Sequence, residues 1–226
     1  MAPAHYRFWP KHLPHRLTAP QTTLHELLAV SARRYPEKPL TQFFGGALPY
    51  REALEQVERL AGYLQKACGV RRGDRVLVDL QNSPQFVLAC FAILRADAVM
   101  VPVSPMNLAE ELAHYLEDSD ARVAIVGQEV YPQFAGLVGK TPLEQLIVAA
   151  YSDYLPAETD LPLPQAVAAP RERLEGPGAT LGADALAAGD APEPSRASPR
   201  DLCVMPYTSG STGRPKGCMH THANVT

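Results

Sequence analysis

The chain has 226 residues, of which 46% are hydrophobic and 20% are charged, and its formal net charge is −3. These values are ordinary for a globular protein with one large α/β domain or two small ones. The charge balance argues against nucleic-acid binding, and the longest apolar runs are too short to cross a bilayer.

Residues 1–22 are predicted to form an extended leader, because several prolines interrupt them. They lack the apolar run of a signal peptide, so we expect a cytoplasmic protein without a transmembrane segment. The four cysteines are expected to be free thiols, because no two of them have the spacing of metal ligands.

Periodicity then predicts an α/β subdomain over residues 23–150. Thr23 and Glu26 have the pattern of a capping box, and Pro36 favours a helix end near Tyr35. A hairpin is predicted over 40–50 and a helix over 51–67. Apolar strands at 75–80, 99–103, 122–126 and 146–149 alternate with helical segments at 86–96, 106–118 and 130–138. Strands that are apolar throughout predict a mainly parallel sheet with helices on both faces.

The composition changes after residue 150. Residues 151–200 are rich in proline and alanine, and we expect an irregular connection with a helix near 182–188. Residues 201–226 are predicted to begin the next subdomain with a strand over 202–207 that leads into a glycine-rich loop.

The loop from Tyr207 to Gly217 reads YTSGSTGRPKG. Its glycines allow unusual main-chain angles, and its hydroxyls and N–H groups suit phosphate oxygens, to which Lys216 adds a positive charge. The spacing fits neither a Walker A loop nor a dinucleotide-binding fingerprint. A flexible linker is the remaining alternative, but a linker requires neither the Pro-Lys-Gly end nor the apolar strand before it.

These eleven residues resemble the phosphate-binding signature of the adenylate-forming superfamily, which includes acyl-CoA synthetases, luciferases and peptide adenylation domains. Residues 93–105 resemble an earlier segment of that family, but Asp97 stands where the family usually has glycine. Shorter similarities occur at 48–51 and 73–76. The resemblance runs from about Leu24 to the last residue and is weakest over 151–199.

The resemblance implies an enzyme that uses ATP and Mg²⁺ to convert a carboxylic acid to an acyl-adenylate and then, with coenzyme A, to an acyl-CoA. It implies ATP-phosphate contacts by seven residues: Thr208, Ser209, Gly210, Ser211, Thr212, Gly213 and Lys216. His220 and His222 resemble an element of the acyl-CoA synthetases, and we expect them to position other groups rather than to bind a metal, because no third ligand is evident.

Later motifs of the family, including its C-terminal catalytic lysine, are absent from the chain. We therefore expect an N-terminal fragment that is inactive alone, with no catalytic residue assigned, and that pairs with a second copy through uncovered apolar faces. A long-chain fatty acid is the expected substrate. The alternatives are an aromatic or other small acid, a non-catalytic nucleotide-binding or interaction domain, and an unrelated α/β protein.

Overall fold

The computed structural model describes residues 3–15, 18–176, 178–208 and 213–226. The helices are α1 (Leu24–Arg34), α2 (Tyr50–Lys66), α3 (Pro84–Arg95), α4 (Ala109–Ser119), α5 (Tyr131–Ala135), α6 (Gln165–Ala168), α7 (Gly182–Ala188) and α8 (His222–Val225). The strands are β1 (Pro39–Phe43), β2 (Gly46–Pro49), β3 (Arg75–Asp79), β4 (Val99–Pro102), β5 (Val123–Gly127), β6 (Gln145–Ala149), β7 (Ala179–Leu181), β8 (Leu202–Val204), β9 (Tyr207–Thr208), β10 (Lys216–Gly217) and β11 (His220–Thr221). Two short 3-10 helices span Ala4–Phe8 and Tyr151–Tyr154.

The main sheet has seven strands in the order β11-β8-β4-β3-β5-β6-β7. All neighbouring strands in it are parallel except β11, which pairs antiparallel with β8. The strands β1 and β2 form a separate hairpin, and β9 and β10 form another. The predicted α/β class with a mainly parallel sheet is confirmed.

Helices cover both faces of this sheet, as the apolar strands predicted. Successive side chains of a strand point to opposite faces. Val76 and Val78 of β3 accordingly pack in one cluster with side chains of α2 and α3, such as Leu64 and Ile93. Leu77 packs in a second cluster with side chains of α4 and α5. The strands are apolar throughout because each of their faces is buried under a helical layer.

The predicted start of α1 is half correct. The Thr23 hydroxyl accepts a hydrogen bond from the Glu26 N–H at 3.3 Å, as a helix N-cap should. The Glu26 carboxylate does not reach back in a capping box, because it accepts a hydrogen bond from Arg33 at 2.8 Å. The helix predicted over 86–96 begins two residues earlier, with Pro84 in the first turn of α3 behind a Ser83 cap.

Asp97 lies in the turn between α3 and β4 with φ 59°, in the left-handed region that favours glycine. Aspartate tolerates this conformation better than most residues do. Its carboxylate accepts hydrogen bonds from the Ser195 hydroxyl at 2.5 Å and the Arg196 N–H at 2.6 Å. The Asp97 side chain therefore fastens residues 195–196 to the turn between α3 and β4.

Two segments contain more structure than the sequence predicted. The leader, expected to be extended, includes the 3-10 helix Ala4–Phe8. Residues 151–200 contribute β7 to the sheet beside β6, in addition to the predicted helix at Gly182–Ala188. They also pack tightly on α2, since a Cβ atom on Gly62 would lie 1.8 Å from the Asp190 carbonyl oxygen. The division into subdomains stays a prediction.

The strand predicted over 202–207 is interrupted. β8 ends at Val204, and the Met205 N–H still donates to the Met100 carbonyl at 2.8 Å. Pro206 has no N–H to continue the ladder, so the chain leaves the sheet there and enters β9. Within the described ranges, no helix has both the length and the apolar character needed to cross a membrane.

Candidate phosphate-binding site

The glycine-rich loop is carried by the β9–β10 hairpin. Thr208 lies opposite Lys216 and Tyr207 lies opposite Gly217. The Cys218 N–H donates to the Pro206 carbonyl at 2.8 Å and closes the base of the hairpin. Thr208 and Lys216 therefore stand side by side where the loop begins and ends. The other predicted phosphate contacts, apart from Gly213, lie outside the described residues: Ser209, Gly210, Ser211 and Thr212.

The two faces of the hairpin have different surroundings. Directly paired side chains of antiparallel strands lie on the same face, and neighbours along a strand lie on opposite faces. Tyr207 contacts α4, where its hydroxyl donates to the Asp118 carboxylate at 2.6 Å and its ring centroid lies 4.5 Å from that of Tyr115. Thr208 and Lys216 are exposed on the opposite face. One face is thus anchored and the other is open to a ligand.

A second contact with α4 holds the far end of the loop. His114 Nε2 lies 3.0 Å from the Pro215 carbonyl oxygen. A carbonyl only accepts hydrogen bonds, so Nε2 is the donor. His114 and Asp118 are four residues apart on α4 and lie on one face of the helix. Neither residue was predicted from the sequence, although a histidine and a carboxylate at this spacing are a recognisable signal.

Two glycines of the loop meet different requirements. Gly213 has φ 143°, which side chains rarely adopt. A Cβ atom on Gly217 would lie 2.9 Å from the Cγ and Sδ atoms of Met205. Gly213 therefore permits the path of the main chain, and Gly217 permits the close packing of β10 on the segment that precedes β9.

The charge of the hairpin suits an anion. Lys216 and Arg214 are both exposed. Within the described part of the chain, no carboxylate lies at ion-pair distance from either of them. An available cation beside the Thr208 hydroxyl, next to a glycine-rich main chain, fits the oxygens of a phosphate chain.

The described residues do not form a binding site for a metal ion by themselves. They contain no group of three His, Cys, Asp or Glu side chains arranged as metal ligands. Mg²⁺ keeps several waters and usually binds through one or two carboxylates together with the phosphates of a nucleotide.

The two histidines after the loop have separate surroundings. His222 is 1% exposed, and its Nδ1 accepts a hydrogen bond from the Leu24 N–H at 3.2 Å. This bond satisfies one of the N–H groups that the first turn of α1 leaves free. Burial lowers the pKa of His222, although Asp201 and Asp97 oppose the shift. His220 lies in β11 and is partly exposed.

Asp79 is a second buried titratable residue that was not predicted from the sequence. It ends β3, is 1% exposed and has an Oδ1 atom without a hydrogen-bond partner. Burial, with a smaller contribution from the charge of Glu129, raises the pKa of Asp79 to about 7. A carboxylate at the end of an apolar strand is the sequence signal that could have found it.

Sequence comparison places the chain among known enzymes. Residues 28–226 match the family model described as AMP-binding enzyme. The chain is 30% identical over 228 residues to a long-chain-fatty-acid–CoA ligase of Bacillus subtilis, covering 96% of this chain and 40% of that protein. It is 35% identical over 195 residues to a feruloyl-CoA synthase of an Amycolatopsis species, covering 86% of this chain and 32% of that protein.

Structural comparison agrees. A long-chain-fatty-acid–CoA ligase from Archaeoglobus fulgidus superposes with a TM-score of 0.69 at 27% identity, over 91% of this chain and 38% of that one. An anthranilate CoA ligase in complex with anthranoyl-AMP superposes with a TM-score of 0.75 at 23% identity, over 92% and 36%, which shows a shared fold. The chain thus spans between about a third and two fifths of the length of such relatives. On its sequence and its fold, it belongs to the AMP-binding enzyme family.

Proposed function

We propose that this chain is the N-terminal part of an AMP-forming acid–thiol ligase and that the β9–β10 hairpin holds the phosphates of ATP. The observation that carries the proposal is the geometry of the hairpin, in which Tyr207 is fixed to α4 while Thr208 and Lys216 face outward together. In such an enzyme the acid attacks the α-phosphate, pyrophosphate leaves, and coenzyme A then takes the acyl group.

The chain's own residues would act by binding and orientation. Lys216 would offset negative charge on the departing pyrophosphate, and the Thr208 hydroxyl would donate to a phosphate oxygen. Ser209, Gly210, Ser211, Thr212 and Gly213 would supply further hydroxyl and main-chain donors. Mg²⁺ would neutralise the phosphates. His114 and Asp118 would keep the hairpin in place without touching the nucleotide.

We propose a long-chain fatty acid as the substrate, because several bacterial long-chain-fatty-acid–CoA ligases match the chain at about 30% identity. An aromatic acid is the second candidate. It is favoured by the 35% identity to the feruloyl-CoA synthase, which exceeds that to the fatty-acid ligases over a slightly shorter alignment.

We further propose that residues 1–226 are inactive alone, that the enzyme is cytoplasmic and that the exposed apolar faces pair with another copy. The chain corresponds to 40% of the Bacillus subtilis relative, and the described residues offer no set of metal ligands. Light scattering tests the pairing, which a monodisperse monomer would contradict.

The activity is tested by ATP–pyrophosphate exchange with the full-length protein, using oleate and ferulate as acids. We expect exchange with oleate to exceed exchange with ferulate, and Lys216→Ala to lower it by about tenfold to a hundredfold, as the loss of a charged hydrogen bond does. Lys140→Ala is the matched control, because Lys140 is also exposed and lies in the segment between α5 and β6 rather than in the hairpin.

Each outcome has a clear meaning. Equal exchange by Lys216→Ala and by the wild type would remove the hairpin from the mechanism. Preference for ferulate would select the aromatic acid. Exchange by residues 1–226 alone, at the full-length rate, would contradict the proposal that the chain is incomplete. Nucleotide binding without exchange in the full-length protein would favour a non-catalytic binding domain.

A further inference from the structure

The first described stretch of the leader, residues 3–15, is folded on itself rather than on the protein. All of its residues are exposed except Tyr6, which is partly buried. The Tyr6 ring stacks on His15 with centroids 4.2 Å apart, and the Tyr6 hydroxyl donates to the His15 carbonyl at 3.4 Å. Among the described residues, every hydrogen bond of the leader is made within the leader itself.

This small structure leaves large apolar side chains partly in solvent. Phe8 is 76% exposed, Trp9 is 38% exposed and Leu13 is 47% exposed. The Arg7 guanidinium lies 4.5 Å from the centroid of the Phe8 ring. Trp9 is covered in part by the rings of Tyr6 and His15, so the burial that the turn does achieve comes from the leader itself and leaves apolar surface exposed. Its apolar surface is available to a partner.

The charge of this region is opposite to that of the rest of the chain. The first 25 residues contain three cationic side chains, Arg7, Lys11 and Arg16, and no acidic residue. All 24 acidic residues of the chain follow them, so that the protein is anionic overall but cationic at this end. A partner of the leader is therefore expected to be anionic as well as able to accept apolar side chains.

We propose that the leader binds the surface of a membrane that contains anionic phospholipids. Tryptophan and tyrosine prefer the level of the lipid headgroups, and Phe8 and Leu13 can enter the acyl boundary below it. Arg7 and Lys11 lie beside these residues in the sequence, where they can meet the phosphates of the headgroups. The leader is thus a peripheral anchor that lies on the surface and does not cross the bilayer.

A polynucleotide is a poorer match for the same features. Affinity for nucleic acid rises with the number of phosphates that lysine and arginine neutralise, and three cations give few such contacts. Aromatic rings can stack on bases, but Leu13 has no equivalent partner on a polynucleotide. A bilayer interface accommodates the cations and the apolar side chains together.

Trp9 is the only tryptophan in the chain, so its fluorescence reports on the leader alone. The 226-residue chain is titrated with vesicles of phosphatidylcholine, with and without phosphatidylglycerol. We expect a blue shift of the Trp9 emission and quenching by brominated phospholipids with the anionic vesicles only. High salt should weaken the effect by screening the charges.

Two kinds of variant keep Trp9 and separate the contributions. Arg7→Gln and Lys11→Gln are each expected to weaken binding to the anionic vesicles about fivefold. Phe8→Ala should reduce both the affinity and the quenching. Arg200→Gln and Leu161→Ala are matched controls, because both residues are exposed and lie outside the leader. Thermal melting should be unchanged in the leader variants, because the leader makes no described hydrogen bond with the body.

The proposal is overturned if the Trp9 emission does not shift with anionic vesicles at low salt. It is also overturned if both kinds of vesicle bind equally, or if Arg7→Gln and Lys11→Gln bind as well as Arg200→Gln. A shift with single-stranded RNA but not with vesicles would identify a polynucleotide partner instead. None of these outcomes bears on the ligase reaction, because the hairpin does not involve the leader.

Discussion

The centre of the sheet and the β9–β10 hairpin are held in place by different forces. Val76, Leu77 and Val78 are fully buried between two helical layers, so that many apolar contacts share the stabilisation. The hairpin has two residues in each strand and is fastened to α4 mainly by Tyr207 and by the Pro215 carbonyl. Changes in the centre should therefore alter folding, whereas changes around the hairpin should alter ligand binding.

The largest expected effect is at Leu77. Replacing it with alanine removes apolar contacts and leaves a cavity between the sheet and the helices α4 and α5, which costs about 2–5 kcal/mol of unfolding free energy. Urea denaturation measures the change. Leu161→Ala is the control, because Leu161 is 51% exposed. If Leu77→Ala lowers the free energy of unfolding no more than Leu161→Ala does, the centre of the sheet is not stabilised by these apolar contacts.

Asp79 gives an effect of intermediate size and opposite sign. Its pKa is about 7 in the folded protein, above its unfolded value, so its contribution to stability is present in acid and is lost as the pH rises through about 7. Asp79→Asn should stabilise the protein at about pH 8, by roughly 1–3 kcal/mol, and by much less at about pH 4.

The charged neighbours of Asp79 must be controlled in that experiment. Burial and then the charge of Glu129 raise the pKa of Asp79. Burial also raises the pKa of Tyr151, with a small contribution from Asp79, and the Tyr151 hydroxyl donates to Glu129 at 2.9 Å. Urea denaturation at both pH values compares Asp79→Asn with Asp160→Asn, an exposed position. If the free energy of unfolding changes equally at both pH values, or if Asp160→Asn changes it by the same amount, the buried Asp79 carboxylate is not the source of the stabilisation.

The smallest expected effect on stability concerns the hairpin. Tyr207→Phe and Asp118→Asn each weaken the bond between hairpin and helix, at a cost of about 0.5–1.5 kcal/mol. Because the bond positions the loop, each should weaken phosphate binding several-fold while the melting temperature changes little. The double variant should then bind phosphate no more weakly than either single variant does. Additive losses in binding would indicate that the two residues act separately.

The sequence predicted the sheet well because its signal is local. Apolar strands such as 75–79 alternate with helices whose apolar stripes recur every three or four residues, and these periods persist in the structure. The end of β8 was predicted too late because Met205 continues the apolar run, although Pro206 removes the N–H that a further ladder bond requires.

The contacts around the site were harder to predict because they join distant parts of the chain. His114 and Pro215 are 101 residues apart, and Leu24 and His222 are 198 residues apart. In neither pair does the sequence around one residue indicate the distant residue that it contacts. The left-handed conformation of Asp97 has no signal in the residues around it. The hydrogen bonds that its carboxylate accepts from Ser195 and Arg196 could not be predicted from the sequence either.

The most direct measurement of the central claim is a calorimetric titration of the 226-residue chain with inorganic tripolyphosphate. The open face of the hairpin predicts binding that Lys216→Ala weakens about tenfold, as the loss of one charged contact does, and that Lys140→Ala leaves unchanged. ATP should bind about as tightly as tripolyphosphate, because the hairpin contacts only the phosphates. Binding that is equal in the wild type and in Lys216→Ala, or lowered equally by both substitutions, would contradict the assignment of the hairpin as the phosphate site.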